Sequence, residues 1–431
     1  MLKHIVVFLF GALVIGASAA AETLTLDQAV NSALQNSFAI KEAQNHEKST
    51  RENLKSSRTD FLPKATANYS YTQLDDAPYQ VVGGTARQVG DTDAVHFDVT
   101  VVQPLFKGFG ILSRYKIARA ESEIGSLELE QAAMDVIRDT KTAYYEALLA
   151  LNIQKVAEDQ VKTLEAQEKD AQGFYDHGVI PKNDLLKTRI ARASAVQERE
   201  KARADARIAV SRLNIVMGSP IDRDLALGPV DTVVTEPGEL GELMEFAVKN
   251  RPEMRIMGQG LESYQASVNL ARSTCYPELS LVGRYEQNGD DPGATDNDYS
   301  NDHNTSVSIQ ARWTFFEWGK SRADTREIRY EKQAFNEKIK AAEGRIRLET
   351  KQEYLNLQVR EKNIRTAEEA LEQARENFRI TRSRYLQQVT TATEVLEAQT
   401  FLSRAESDYH RAVYGRLIAR ARLTRAAGTL E

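Results

Sequence analysis

The stretch "TATEVLEAQT" sets Glu394 and Glu397 three residues apart around an apolar Val395-Leu396 pair. On a helix, positions i and i+3 share a face, so both carboxylates project into the same space. Such a pair either works as acid and base or stands as a solvated helix face, which is its ordinary use. No supporting base or nucleophile accompanies it. The six histidines (His4, His46, His96, His177, His303, His410) have no ligand spacing, so no metal site is expected. "VVGGTARQVG" has the glycines of a phosphate loop without its lysine or downstream helix. Asp290, Asp291, Asp296, Asp298 and Asp302 miss the spacing of a calcium loop and read as a solvated surface loop. No catalytic residue and no cofactor is expected, and the chain is not read as an enzyme.

What positions the glutamate pair must be read from the rest of the chain. Net charge is −6 over 431 residues, which gives a nucleic-acid role no support. Residues 1–21 carry Lys3, an apolar run from Ile5 to Ile15 and the small residues "GASAAAE", the pattern of a secretory signal ending at Ala19 or Ala21. The single cysteine, Cys275, excludes an internal disulfide. No other apolar stretch is long enough for a membrane helix. A periplasmic protein or a β-barrel built of short alternating segments remains.

Two tracts, 105–180 with the last prolines excluded by Pro104 and Pro181, and 293 to the end, contain no proline and are rich in helix formers. In the first, Ile124, Leu127, Met134, Ile137, Tyr144, Leu148 and Leu151 follow a heptad rhythm. A helix over 114–176 would be on the order of 90 Å long. The chain also repeats itself. At an offset of 214, Leu26, Ala33, Asn36, Arg58, Pro63 and Tyr71 match Leu240, Ala247, Asn250, Arg272, Pro277 and Tyr285. At 210, Phe106, Lys141, Tyr144, Tyr175, Leu186, Leu213 and Gly218 match Phe316, Lys351, Tyr354, Tyr385, Leu396, Leu423 and Gly428. The first repeat, 22–218, is expected to hold a helix (26–60), strands (65–73 and 94–105), a long helix (114–176), a tip (177–182) and a returning helix (183–217). The second, 240–431, follows a connector at 219–239 with helices over 240–273, strands 278–287 and 304–316, a long helix 322–386, a tip 387–391 and a helix 392–427.

The four strand segments alternate. Tyr69 and Tyr71, then Phe97, Val99 and Val101, face away from Asn68, Ser70 and Asp98, and the second half matches them with Leu281 and Tyr285 and with Val307, Ile309 and Trp313. One apolar, aromatic face and one polar face suit a barrel wall between lipid and a watery lumen. Open strand edges are not tolerated in lipid, and four strands cannot close a barrel. Three copies supply twelve strands, so a homotrimer is the simplest closure.

The signal segment, the twofold helix-strand-strand-helix-helix order, "QPLFKGFG" at 103–110, and the paired segments "YDHGVIPKNDLLKTR" and "YLQQVTTATEVLEAQT" resemble the TolC family of outer-membrane efflux and secretion ducts. The resemblance runs from about residue 24 to 428. It implies a mainly α fold with a membrane β-barrel portion: a trimer with a twelve-stranded barrel in the outer membrane of a Gram-negative bacterium, on a long α-helical coiled-coil barrel in the periplasm. It implies a channel of a tripartite efflux or type I secretion system, with a periplasmic adaptor and an inner-membrane pump of the RND, ABC or MFS type as partners. By position it implies adaptor-docking tips at Gly178, Val179, Ile180 and Pro181 and at Gln388, Val389 and Thr390, and a pore constriction at Glu394 and Glu397, glutamates where the best-known member has aspartates. Tyr385 and Asp184 fall where the family ties neighbouring helices shut. The basic residue completing that latch is replaced by Thr390, which turns attention to Arg382 or Arg384. The competing expectation is a soluble periplasmic coiled-coil scaffold or adaptor without a barrel, which leaves the alternating aromatic strands unexplained.

Overall fold

The structure is a computed structural model describing residues 23–231 and 237–429, so the expected signal segment lies outside the described residues and the connector partly so. The first helix, α1 (Leu26–Asn36), opens on a capping box: the Gln28 amide donates to Thr25 Oγ1 at 3.3 Å, and the Thr25 amide donates to Gln28 Oε1 at 2.9 Å. Sequence reading expected one helix over 26–60. Instead Ser37 is extended (φ −55°, ψ 138°), and α2 (Phe38–Thr59) begins after it. The second repeat breaks at the matching place. Arg251 (φ −61°, ψ 134°) separates α5 (Leu240–Asn250) from α6 (Pro252–Ser273), because proline disfavours a helical residue before it and suits the first helical position.

After α2 come β1 (Lys64–Gln73), a short hairpin of β2 (Tyr79–Val82) and β3 (Thr85–Gln88), and β4 (Asp93–Lys107). The hairpin lies between the two strands expected of the first repeat, where no strand was expected. Its turn uses Gly83 and Gly84, both at positive φ, which an alternation search over 4-residue strands does not detect. After α6 follow β5 (Glu278–Gly289) and β6 (His303–Arg312). The main sheet has the order β1-β4-β5-β6, antiparallel throughout, so β4 and β5 join the two repeats and β1 and β6 are open edges. The strand expected over 304–316 stops at Arg312, opposite Glu278, where β5 begins and nothing further holds it.

The long helices α3 (Gly110–Asp176) and α7 (Lys320–Leu386) have 67 residues each, roughly 100 Å at 1.5 Å per residue. Each turns into a returning helix, α4 (Lys182–Val216) or α8 (Ala392–Ala427). In α4 the buried residues Leu185, Thr188, Ala195, Ala202, Ala206 and Leu213 recur at coiled-coil spacing. Most are small, which lets neighbouring helices approach closely.

The duplication reaches the backbone. Positive φ occurs at Gly108 and Phe109 and, 210 residues on, at Trp318 and Gly319, with glycine and aromatic exchanged. Gly218 and Gly428 both end a returning helix in the left-handed region, each with the paired reverse bonds of a Schellman motif (Gly218 N to Ile215 O and Ser219 N to Asn214 O; Gly428 N to Arg425 O and Thr429 N to Thr424 O). Each glycine backs onto a helix break. A Cβ at Gly218 would lie 2.3 Å from the Asn36 carbonyl oxygen, and one at Gly428 would lie 2.9 Å from Arg251 Cγ.

The chain forms two compact units: Met1–Ser37, Val136–Glu236 and Asn356–Ala421 in the first, and Phe38–Asp135, Pro237–Leu355 and Arg422–Glu431 in the second. In the first, Tyr144 is fully buried and its hydroxyl donates to the Leu24 and Gly228 carbonyls, pinning the Leu24–Leu227 bridge to α3. The second holds a buried ionic cluster. Arg251 pairs with Glu253 (2.9 Å) and Glu349 (2.7 Å), and Arg425 pairs with Glu253 (2.7 Å) and Asp135 (2.8 Å); both arginines are only 5% exposed. Arg251 also donates to the Ala426 carbonyl, which the Thr350 hydroxyl caps as well. Burial alone would raise the Glu253 carboxyl, but the Arg251 and Arg425 hydrogen bonds outweigh it and bring the pKa to about 2. The folded value lies below the unfolded one, so this stabilisation is complete above pH 4.5 and is lost as pH falls toward 2. Thermal unfolding followed by circular dichroism should show a midpoint falling from pH 5 to pH 2, and Glu253→Gln should lower it at pH 7 and flatten that slope.

Candidate functional site

Both hairpin tips lie in the first unit and share one backbone. α3 closes with Gly178 N to Tyr175 O at 2.9 Å and Val179 N to Phe174 O at 2.8 Å; α7 closes with Gln388 N to Tyr385 O and Val389 N to Arg384 O, both at 2.9 Å. These are Schellman motifs again, with Gly178 (φ +74°) and Gln388 (φ +61°) in the left-handed position. A Cβ at Gly178 would meet nothing within 4 Å, so only the backbone angle favours glycine there. Beyond each turn the chain exposes a valine, Val179 or Val389, followed by the half-buried Ile180 or Thr390. α4 then starts after Pro181, which offers no side-chain cap, whereas Thr391 Oγ1 accepts the Glu394 amide at the start of α8.

The side chains of the two tips differ. Asp184, half-buried, is paired with Lys187 at 3.4 Å, and Lys187 Nζ also donates to Thr393 Oγ1 at 3.1 Å, so α4 is tied to α8. Glu394 accepts a short hydrogen bond from the Thr390 hydroxyl. Glu394 and Glu397 are both exposed, and among the described residues neither meets a basic side chain. Thr390 thus holds Glu394 against the tip where a basic residue would neutralise it. Among the described residues neither Arg382 nor Arg384 forms an ion pair with the site.

Behind the glutamates, Val395 and Ala392 are buried against Tyr385, with Phe174 and Phe378 packed on them. The Tyr385 and Phe174 rings meet edge to face, with centroids 5.6 Å apart at 73°, a favoured aromatic geometry. Tyr385 is 6% exposed, while its repeat counterpart Tyr175 is 37% exposed. Burial, then the nearby Asp170 and Asp184 carboxylates, push the Tyr385 phenol up, so it stays protonated at neutral pH. The structure therefore brings Tyr385 and the glutamate helix together and links α4 to α8 through Lys187. Phe174 and Thr393 were not singled out from sequence. Phe174 carried a signal, since it falls in the α3 heptad register, but Thr393 carried none.

A sequence profile for the family described as "Outer membrane efflux protein" matches residues 29–219 and 243–429. The chain belongs to that family. The two matched blocks leave out the connector and correspond to the two repeats. Among curated relatives, the alkaline protease secretion protein AprF of Pseudomonas aeruginosa is 25% identical, covering 100% of this chain and 90% of its own. The outer membrane protein TolC of Escherichia coli is 18% identical over 88% of this chain and 77% of its own. Among solved structures, the outer-membrane channel OprN superposes with a TM-score of 0.78 at 20% identity, covering 94% of this chain and 89% of that one. The fold is that of a TolC-like channel protomer, and this outer membrane efflux protein resides in the outer membrane and reaches into the periplasm. No helix among the described residues is long and apolar enough to cross a membrane.

Tyr385→Ala removes a buried ring from the seam behind the glutamates and should cost roughly 3 kcal/mol. Hydrogen exchange around Ala392 to Ala398 is expected to speed up in that variant and to stay near wild type in Tyr385→Phe.

Proposed function

We propose that this chain is the outer-membrane duct of a tripartite efflux or type I secretion system, a homotrimer without enzymatic activity that passively conducts solutes delivered by an inner-membrane pump through a periplasmic adaptor. The observation that carries this reading is the four-stranded sheet with both outer strands unpaired along their far edges, β1 and β6 being exposed over their whole length. Their apolar residues, among them Tyr69, Tyr71, Val307 and Ile309, suit lipid, but unpaired backbone groups do not. Closure by two further copies gives a twelve-stranded barrel. A soluble periplasmic scaffold has no use for such edges, which invite aggregation in water.

In the trimer the exposed tips Gly178-Val179-Ile180-Pro181 and Gln388-Val389-Thr390 form the rim that meets the adaptor, with Val179 and Val389 as its apolar contacts. Glu394 and Glu397, uncompensated in the chain, form the constriction. Two carboxylates per chain become six around the axis, and like charges gathered in a narrow lumen concentrate cations. Asp184, neutralised by Lys187, contributes contact between helices rather than charge to the ring, and Tyr385 holds α8 in place.

Planar-bilayer recordings test the ring. With Glu394→Gln plus Glu397→Gln the preference for cations should fall, and divalent-cation block should weaken by about tenfold or more. Unchanged selectivity and block would remove the glutamates from the pore.

A further inference from the structure

We propose that β6 of one copy joins β1 of the next in the register that joins β4 to β5 inside the chain, with Glu317 of one copy ion-paired to Lys64 of its neighbour. The proposal rests on the trimeric reading above and adds the seam's register and its electrostatic lock. Its basis is the repeat, which holds residue by residue in the sheet. In the second hairpin Glu278 faces Arg312 and Gln287 faces His303. Moved back by the two offsets, those pairs become Lys64 with Val102 and Gln73 with Asp93, and both are pairs of the first hairpin. Equivalent strands therefore sit on one lattice. Within the four-stranded sheet of the described residues, the junction with no counterpart is β4 with β5, which can be repeated only between copies.

Carrying that junction across fixes the partners. Val99 opposite Tyr285 becomes Ile309 opposite Tyr71, two side chains now exposed by 70% and 57%. Past a one-residue register shift between Pro104 and Phe106, Lys107 faces Glu278 in an ion pair at 2.6 Å, and with that shift repeated over residues 314–316 the counterpart is Glu317 opposite Lys64. Both signs are exchanged together, which preserves the attraction. In the single chain Lys64 pairs with Asp60 four residues before it, and Glu317 accepts from the Ser321 hydroxyl at 3.5 Å with Lys320 close enough to feel its charge. The same junction explains the early end of β6. β4 continues to Lys107 because β5 holds it there, while the equivalent residues 313–316 have no strand beside them until another copy arrives. The copying ends at Glu317. Trp318 stands where Gly108 stands in the first repeat, and a Cβ at Gly108 would lie 2.3 Å from the Ser273 carbonyl oxygen, so the turns beyond the strands separate more widely between copies than within one.

Cysteine cross-linking of the full chain in a Cys275→Ser background reads the register. Tyr71→Cys with Ile309→Cys should give covalent trimers on oxidation, whereas Ala67→Cys with Ile309→Cys should give none, since four residues along a strand add about 13 Å. Light scattering in detergent reads the stoichiometry independently. A monomer would overturn the trimeric reading itself; a trimer that cross-links through Ala67, or through neither pair, would overturn the register alone. For the ion pair, Lys64→Glu and Glu317→Lys should each lower the temperature at which the trimer dissociates in detergent by several degrees, and the double exchange should restore it. Losses that simply add in the double variant would overturn the pairing.

Discussion

The constraint on which everything else depends is the backbone hydrogen bond in lipid. Each strand placed in a hydrocarbon layer must satisfy its amides and carbonyls sideways, because no water is available to do so. This chain supplies four such strands and leaves two edges open. A polypeptide built this way is a fraction of a barrel, and its remaining features follow from being multiplied. The returning helix α4 carries a narrow seam of small buried residues, and the same helix-helix-strand-strand-helix-helix order occurs twice, with the short β2–β3 hairpin added in the first repeat.

Duplication preserved the backbone and let the side chains diverge. The left-handed residues recur at matching positions even where glycine has moved by one place, as at Gly108-Phe109 and Trp318-Gly319. Bulky residues in that region are strained, and they persist where the surrounding turn leaves no alternative. At the tips the two hairpins share their turn, yet one carries Asp184 with Lys187 and the other carries Glu394 and Glu397. Charge is compensated in one hairpin and not in the other, so a nearly symmetric pair presents two different surfaces. Likewise one tyrosine of the repeated pair, Tyr385, is buried and the other, Tyr175, faces solvent.

Fold class was legible because long period and long range coincide. The heptads of α3, the alternation around Tyr69 and Phe97, and the offsets of 214 and 210 are all patterns that survive in one dimension. What was not legible depends on single backbone angles or on partners distant in sequence. Ser37 breaks a run that reads as continuous helix, and no proline marks it as Pro252 marks the equivalent break. The β2–β3 hairpin is too short to show a period. At the site, the family resemblance supplied positions, but chemistry came from contacts. The Thr390 hydroxyl on Glu394, the Lys187 bridge to Thr393 and the Phe174 ring on Tyr385 join residues whose pairing no local spacing announces. The arginines next to the site, Arg382 and Arg384, looked like substitutes for a missing base because they are near in sequence, yet among the described residues neither forms an ion pair with Glu394 or Glu397.

The central claim is that the chain is one third of a closed duct. Electron cryomicroscopy of the protein extracted from outer membranes in mild detergent tests it most directly. A threefold particle with a twelve-stranded barrel and a helical tube narrowing at Glu394 and Glu397 is the expected result. A monomeric particle with β1 and β6 left unpaired, or a different number of subunits around the axis, would contradict it.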